Sequence, residues 1–332
     1  MAAYTAIDDP QANYQIELWT GDQSENARTL DGDTDMQPDL VWVKGRSFAD
    51  TGGIFDSVRG ATKLLIPSAT SAESTVAESL KSFDSDGFTM GTESALNKSS
   101  NTMVAWCWKE SAAAGLDIIE FTGNATARNI SHNLSVIPEV IFIKNHSSAS
   151  TYWTSYHKPV GNTGELYLNS DDGAGGSVAA WNDTTPDASN FRLGANTGVN
   201  GDGNTIIAYV MAPVKGFSKF GEYEGNGSTN GPFVYTGFRP AMVICKRYDT
   251  TGGWYTYDIK RPGRNNENAY LQADTTSAED TNSGNFGFDF LANGFKIRGS
   301  YATLNASGGT FVYMAWADQP FANSEGEAAN AR

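Results

Sequence analysis

Apolar positions along this chain fall in short runs broken by Gly, Asn and Asp, not at the three-and-four spacing of an amphipathic helix. Three runs share a frame. Leu40-Val41-Trp42-Val43, Val140-Ile141-Phe142-Ile143 and Met242-Val243-Ile244-Cys245 each follow a proline (Pro38, Pro138, Pro240) and each end in lysine (Lys44, Lys144, Lys246). Other short segments, such as Asp117-Ile118-Ile119-Glu120-Phe121 and Glu165-Leu166-Tyr167-Leu168, also read as strands. Asp86-Gly87, Asn226-Gly227, Gly252-Gly253 and Asn293-Gly294 supply turn chemistry between them. Strand therefore follows strand, a spacing that suits an antiparallel sandwich or jelly roll. Only Ala72 to Leu80 reads as helical, for a turn or two.

The frame recurs along the whole chain. Gly21, Gly123 and Gly225, each preceded by an aromatic-polar pair, lie 102 residues apart in both steps. Leu65, Leu168 and Leu271 keep the register, as do Phe88, Phe191 and Phe295. Asn97, Asn200 and Asn305 each stand five residues before a threonine that opens an apolar strand. A fixed period of this length predicts tandem domains, since solenoid and propeller units are much shorter. The expected organisation is all-β: an N-terminal arm at 1–13, antiparallel β-sandwich, jelly-roll-like repeats at 14–110, 117–216 and 220–321, and a C-terminal tail at 322–332. No Pro-rich or charge-rich linker divides the repeats, so they should pack on one another. A compact threefold arrangement and a linear array both satisfy the pattern.

Composition narrows the function. Of 332 residues, 38 are acidic and 23 basic, a net charge of −15 with no basic cluster, which disfavours nucleic acid as a partner. The acidic excess suits solubility and mutual repulsion at high local concentration. No apolar run is long enough to span a bilayer, and Asp8 and Asp9 sit where a secretion signal would be apolar. Cys107 and Cys245 lie inside apolar strands and read as small buried hydrophobes, with a single bridge between them left open.

Candidate chemistry is sparse. Asp31-Gly32-Asp33-Thr34-Asp35 and the set Asn200, Asp202, Asn204 alternate like cation loops but lack a complete ligand set, so no metal or other cofactor is expected. There is no nucleophile elbow, metalloprotease helix or phosphate loop. A glycan-degrading pair of carboxylates is the remaining, distant enzymatic reading. Aromatic strands offer more. In Tyr152-Trp153-Thr154-Ser155-Tyr156-His157 and Trp254-Tyr255-Thr256-Tyr257-Asp258, alternation puts Trp254 on one face and Tyr255 and Tyr257 on the other. If one face is core and the second wet, Tyr152, Tyr156, Tyr255 and Tyr257 are candidate glycan contacts. Packing between repeats explains the same residues.

Several segments carry a family likeness. Pro38 to Lys44, Phe55-Asp56-Ser57-Val58-Arg59-Gly60-Ala61-Thr62-Lys63, Ser82 to Phe88, Val104 to Lys109, Trp181 to Pro186, Gly216 to Gly221, Gly231 to Pro240 and the ending Asn330-Ala331-Arg332 resemble a family of uncharacterised three-repeat structural proteins of marine tailed bacteriophages. The resemblance implies a virion protein of the tail or tail-fibre region, assembled in the host cytoplasm, released by lysis and present in many copies among other virion proteins. It implies no enzymatic activity and no functional residues. Two expectations follow: an external attachment module contacting host-surface glycan through an aromatic face, or a capsid decoration or connector protein using an acidic face and the arm at 1–13. A compact module carried by another component is expected in either case.

Overall fold

The computed structural model describes residues 4–327 apart from 177, 262–264, 266–267 and 282–283. The described chain is all-β, with antiparallel ladders throughout its three large sheets.

The three large sheets share one connectivity. In the first, Tyr14–Thr20 pairs with Thr102–Trp108, which pairs with Leu40–Gly45, which pairs with Gly53–Asp56. The second runs Leu116–Thr122, Thr205–Met211, Val140–Asn145, Thr154–His157, then Gly164–Tyr167 and Gly175–Gly176. The third runs Ser218–Glu224, Thr310–Pro320, Phe238–Arg247, Trp254–Asp258 and Leu271–Gln272. The strand that carries the lysine is interior each time, flanked on one side by the strand that begins at the threonine. In the third sheet it starts before Pro240, and the ladder slips register on either side of that residue. Proline has no N–H to donate, so the strand passes it through a bulge.

Each large sheet has two covered faces. In the first, Val41, Val43, Phe55, Ala105 and Cys107 pack with Leu80, Phe88 and Met90 of a smaller sheet formed by Asn26–Arg28, Gly87–Met90 and Leu80–Asp84. In the second, Ile141, Ile143, Ala208 and Val210 pack with Ile130, Phe191 and Leu193 of the pair Arg128–Ser131 and Asn190–Leu193. The opposite faces meet in one shared core. Leu40, Trp42 and Trp108, then Phe142, Tyr209 and Met211, then Met242, Ile244 and Trp316 all belong to it. Trp108 meets Trp316 edge to face at 5.4 Å, and Phe142 meets Trp254 at 6.0 Å. Buried aromatic rings remove large apolar areas from water, so contact between the sheets contributes heavily to stability.

The seams between the sheets form a closed cycle. Lys44 Nζ donates to the Thr275 carbonyl at 2.7 Å, Lys144 Nζ to Thr70 at 2.9 Å, and Lys246 Nζ to Asp172 at 2.6 Å. Backbone bonds run beside them: Glu73 N to His146 O, Ala174 N to Tyr248 O and Glu279 N to Arg46 O, each 2.8 Å. Burial pulls all three ammonium groups down to about 8. Each of these three lysines thus satisfies a carbonyl of the preceding third of the chain, and the first reaches round to the last.

One expectation needs correction. Ala72 to Leu80 is not helical: Ser74–Thr75 is a short strand paired with Lys63–Leu64. Pairing supplies partners that an isolated turn of helix would lack. The four-residue helices lie elsewhere, at Ser94–Asn97, Val178–Trp181, Thr197–Asn200 and Ala302–Asn305. The described part of the segment 1–13 lies on the body, with Ala6 N donating to Lys215 O at 2.9 Å and Thr5 buried. Cys107 and Cys245 are both buried free thiols.

Candidate functional site

The four tyrosines singled out by alternation do not form a wet face. Tyr156 packs edge to face on Trp181 at 5.5 Å, and Tyr257 stacks on Phe288 at 4.5 Å. Tyr255 lies among Tyr270 and Phe286, its hydroxyl 2.9 Å from Thr303 Oγ1. All three are buried. The correction has a simple cause: the strand is covered on both sides, so alternation chooses between two interiors. Tyr152 alone is exposed, at 45%, stacked on Tyr167 with centroids 4.5 Å apart. The structure does not bring the four together.

Exposed aromatic rings gather elsewhere. Tyr4, Tyr235 and Phe321 line a cleft of about 430 Å³ beside the start of Ser218–Glu224, together with Lys215, Lys219 and Thr236. The three rings are 55%, 55% and 44% exposed. Four separate pieces of chain build it. The turn at 235–237 is fixed by Thr236 Oγ1, which donates to Phe238 O at 2.6 Å, and by Gly237 at φ +88°. A side chain at residue 237 would be strained there. The connector at Lys215 and Gly216 is pinned by the arm, since Ala6 N and Thr5 Oγ1 both donate to Lys215 O. Phe321 follows the end of the long Thr310–Pro320 strand, and Asp8 accepts from the backbone and hydroxyl of Ser324.

Electrostatics set this cleft apart from the rest of the molecule. Among the described residues its charged lining is Lys215 and Lys219, in a protein carrying 38 acids. Lys219 Nζ donates to Tyr235 O at 2.6 Å and lies 5.2 Å from the centre of the Tyr235 ring. Burial lowers its pKa, opposed by the charge of Glu139, which is itself paired with Lys158 at 2.6 Å. Aromatic faces and ammonium donors make a binding arrangement. A second cleft, about 390 Å³, contains Glu279 and Asp280. Glu279 is held bidentately by Arg46 at 2.9 and 3.0 Å and by Arg261 at 3.1 Å, and Tyr270 donates to Asp280. These carboxylates are tied into the seam between the third and first sheets.

The acidic turn at 31–35 splays outward. Asp31 pairs with Lys260, and Thr34 Oγ1 donates to Asp9 at 2.6 Å. Among the described residues no group of three His, Cys, Asp or Glu side chains could hold a metal ion, and no helix is long and apolar enough to cross a membrane. Sequence reasoning missed the cleft because its residues are scattered from Tyr4 to Phe321. The available signal was the departure of Phe233-Val234-Tyr235-Thr236-Gly237 from the corresponding positions of the first two copies.

No curated protein matches this chain. A family model described as a domain of unknown function (DUF7483) matches residues 9–320, and the chain belongs to that family.

Proposed function

We propose that the protein is a non-enzymatic structural component of a bacteriophage virion, an external tail- or fibre-associated module that attaches to host-surface glycan. The observation that carries this reading is the cleft of exposed Tyr4, Tyr235 and Phe321 on an otherwise strongly acidic body. Aromatic faces stack on the apolar faces of sugar rings, and hydroxyl and ammonium donors around them orient the ring. The motif resemblance to tailed-phage structural proteins supplies the context: other virion proteins as partners, assembly in the host cytoplasm and release by lysis. Display in many copies would raise weak single-site binding by ~10²–10⁴.

We also read the chain as tandem jelly-roll-like β-sandwich repeats at 14–110, 117–216 and 220–321, with an arm at 1–13 and a tail at 322–332. Support comes from the common strand order of the three large sheets and from the smaller sheet packed on the outer face of the first two. Decoration of a capsid is the competing role. Its proposed docking arm is engaged by Lys215 and, through Asp8, by Ser324, which favours attachment.

Labelled protein at micromolar concentration should bind host cells, and Tyr235→Ala should weaken that binding about tenfold, the loss of one ring contact. No binding by the unaltered protein would overturn the attachment reading.

A further inference from the structure

We propose that the cleft at Tyr235 takes an anionic saccharide, with the acid group on Lys215 and Lys219 and the sugar ring on the Tyr235 face. The proposal deepens the attachment reading and rests on it. Charge complementarity selects this occupant: among the described residues the charged lining is basic, in a chain whose acidic residues outnumber its basic ones by 38 to 23. A neutral sugar would need no ammonium here, and a cation would be repelled.

Lys219 is suitably placed. It is half-buried beside the Tyr235 ring, and its bond to Tyr235 O uses one of three N–H donors. The remaining donors have no hydrogen-bond partner among the described residues. Partial removal from water strengthens its pull on an anion. Glu139, the acid whose charge acts on it, is already engaged by Lys158. Lys215 is exposed, and its backbone is fixed by the arm. A carboxylate, sulfate or phosphate on the sugar presents the same acceptor chemistry to both lysines.

The test is calorimetric binding to the full chain at low salt with three probes: tri-galacturonate, a chondroitin sulfate tetrasaccharide and neutral maltotriose. At least one anionic probe should bind about tenfold more tightly than maltotriose, and salt should weaken it. Lys219→Met should reduce that affinity by about tenfold. Lys215→Gln, at an exposed position, gives a second reading with a loss of about threefold. Lys98→Gln, which removes the same charge from an exposed site outside the cleft, should change nothing. Equal affinity for maltotriose, or lysine variants that bind as the parent does, overturns the proposal. If neither anionic probe binds while labelled protein still binds host cells, the anionic assignment falls and attachment stands. Probe binding without cell binding has the opposite meaning.

Discussion

Gly21, Gly123 and Gly225 mark the repeat in the sequence, and each is fixed by a neighbouring backbone, not by an unusual φ. A Cβ on Gly123 would lie well inside van der Waals contact of the Gly201 carbonyl oxygen, and one on Gly225 would meet the Ala306 carbonyl in the same way. The partner segment is held by a buried asparagine: Asn200 Nδ2 donates to Thr126 O and Gly194 O at 2.7 and 2.8 Å, and Oδ1 accepts from Asn124 N. Asn305 repeats the arrangement with Ser228 O, Gly299 O and Asn226 N. Gly123→Ala should therefore cost about 1–3 kcal/mol, the usual price of overpacking. Gly175→Ala, whose Cβ would stand 3.8 Å from its nearest neighbour, should stay within about 0.5 kcal/mol. Urea unfolding of the two variants measures both, and equal losses would show that close approach is not what selects the marked glycines.

At the scale of elements, the strand after each lysine-ended strand carries the contact across a seam. Tyr209 donates to Asp56 at 2.7 Å, and Trp106 Nε1 donates to Asp258 at 3.0 Å. Arg59 and Arg261, three residues further along, hold those carboxylates at 2.6 and 2.7 Å. At the middle seam the corresponding residue is His157, whose Nε2 lies 3.2 Å from Tyr313 O. A carbonyl only accepts, so Nε2 carries the proton. Burial pulls His157 down to about 3, although the carbonyl bond favours the charged ring. Between pH ~6.5, where histidine titrates in the unfolded chain, and about 3, the unfolded chain binds a proton that the folded one refuses. Stability should fall as pH drops through that window, and His157→Gln should flatten part of the fall in melting temperature. An unaltered pH profile in that variant would contradict the burial. Much of this layer was legible in the sequence: the spacing from Asp56 to His157 to Asp258 already placed them at matching positions. Of the two readings open for Tyr156, Tyr255 and Tyr257, the wet face falls and packing remains, since alternation distinguishes two faces but not water from protein. The uninterrupted run Leu40-Val41-Trp42-Val43 was the better guide, since unbroken apolar strands are covered on both sides.

For the molecule as a whole, the shared core makes stability a joint property of the three sheets. Residues from all three surround an apolar void of about 30 Å³ near Trp42, Trp108, Trp153 and Trp316, and the lysine seams close the cycle from the last third of the chain to the first. Calorimetric melting should give one cooperative transition; three resolved transitions would mean that the sheets unfold independently. In this closed body the exposed rings Tyr4, Tyr235 and Phe321 converge at the margin from distant parts of the chain. The role proposed for that face depends on where the protein sits. An electron density map of the virion proposed to carry it is the most direct test: the attachment account predicts density at the tail or its fibres with the Tyr235 cleft open to solvent, whereas density at capsid lattice sites, or a cleft buried against another particle protein, would contradict it.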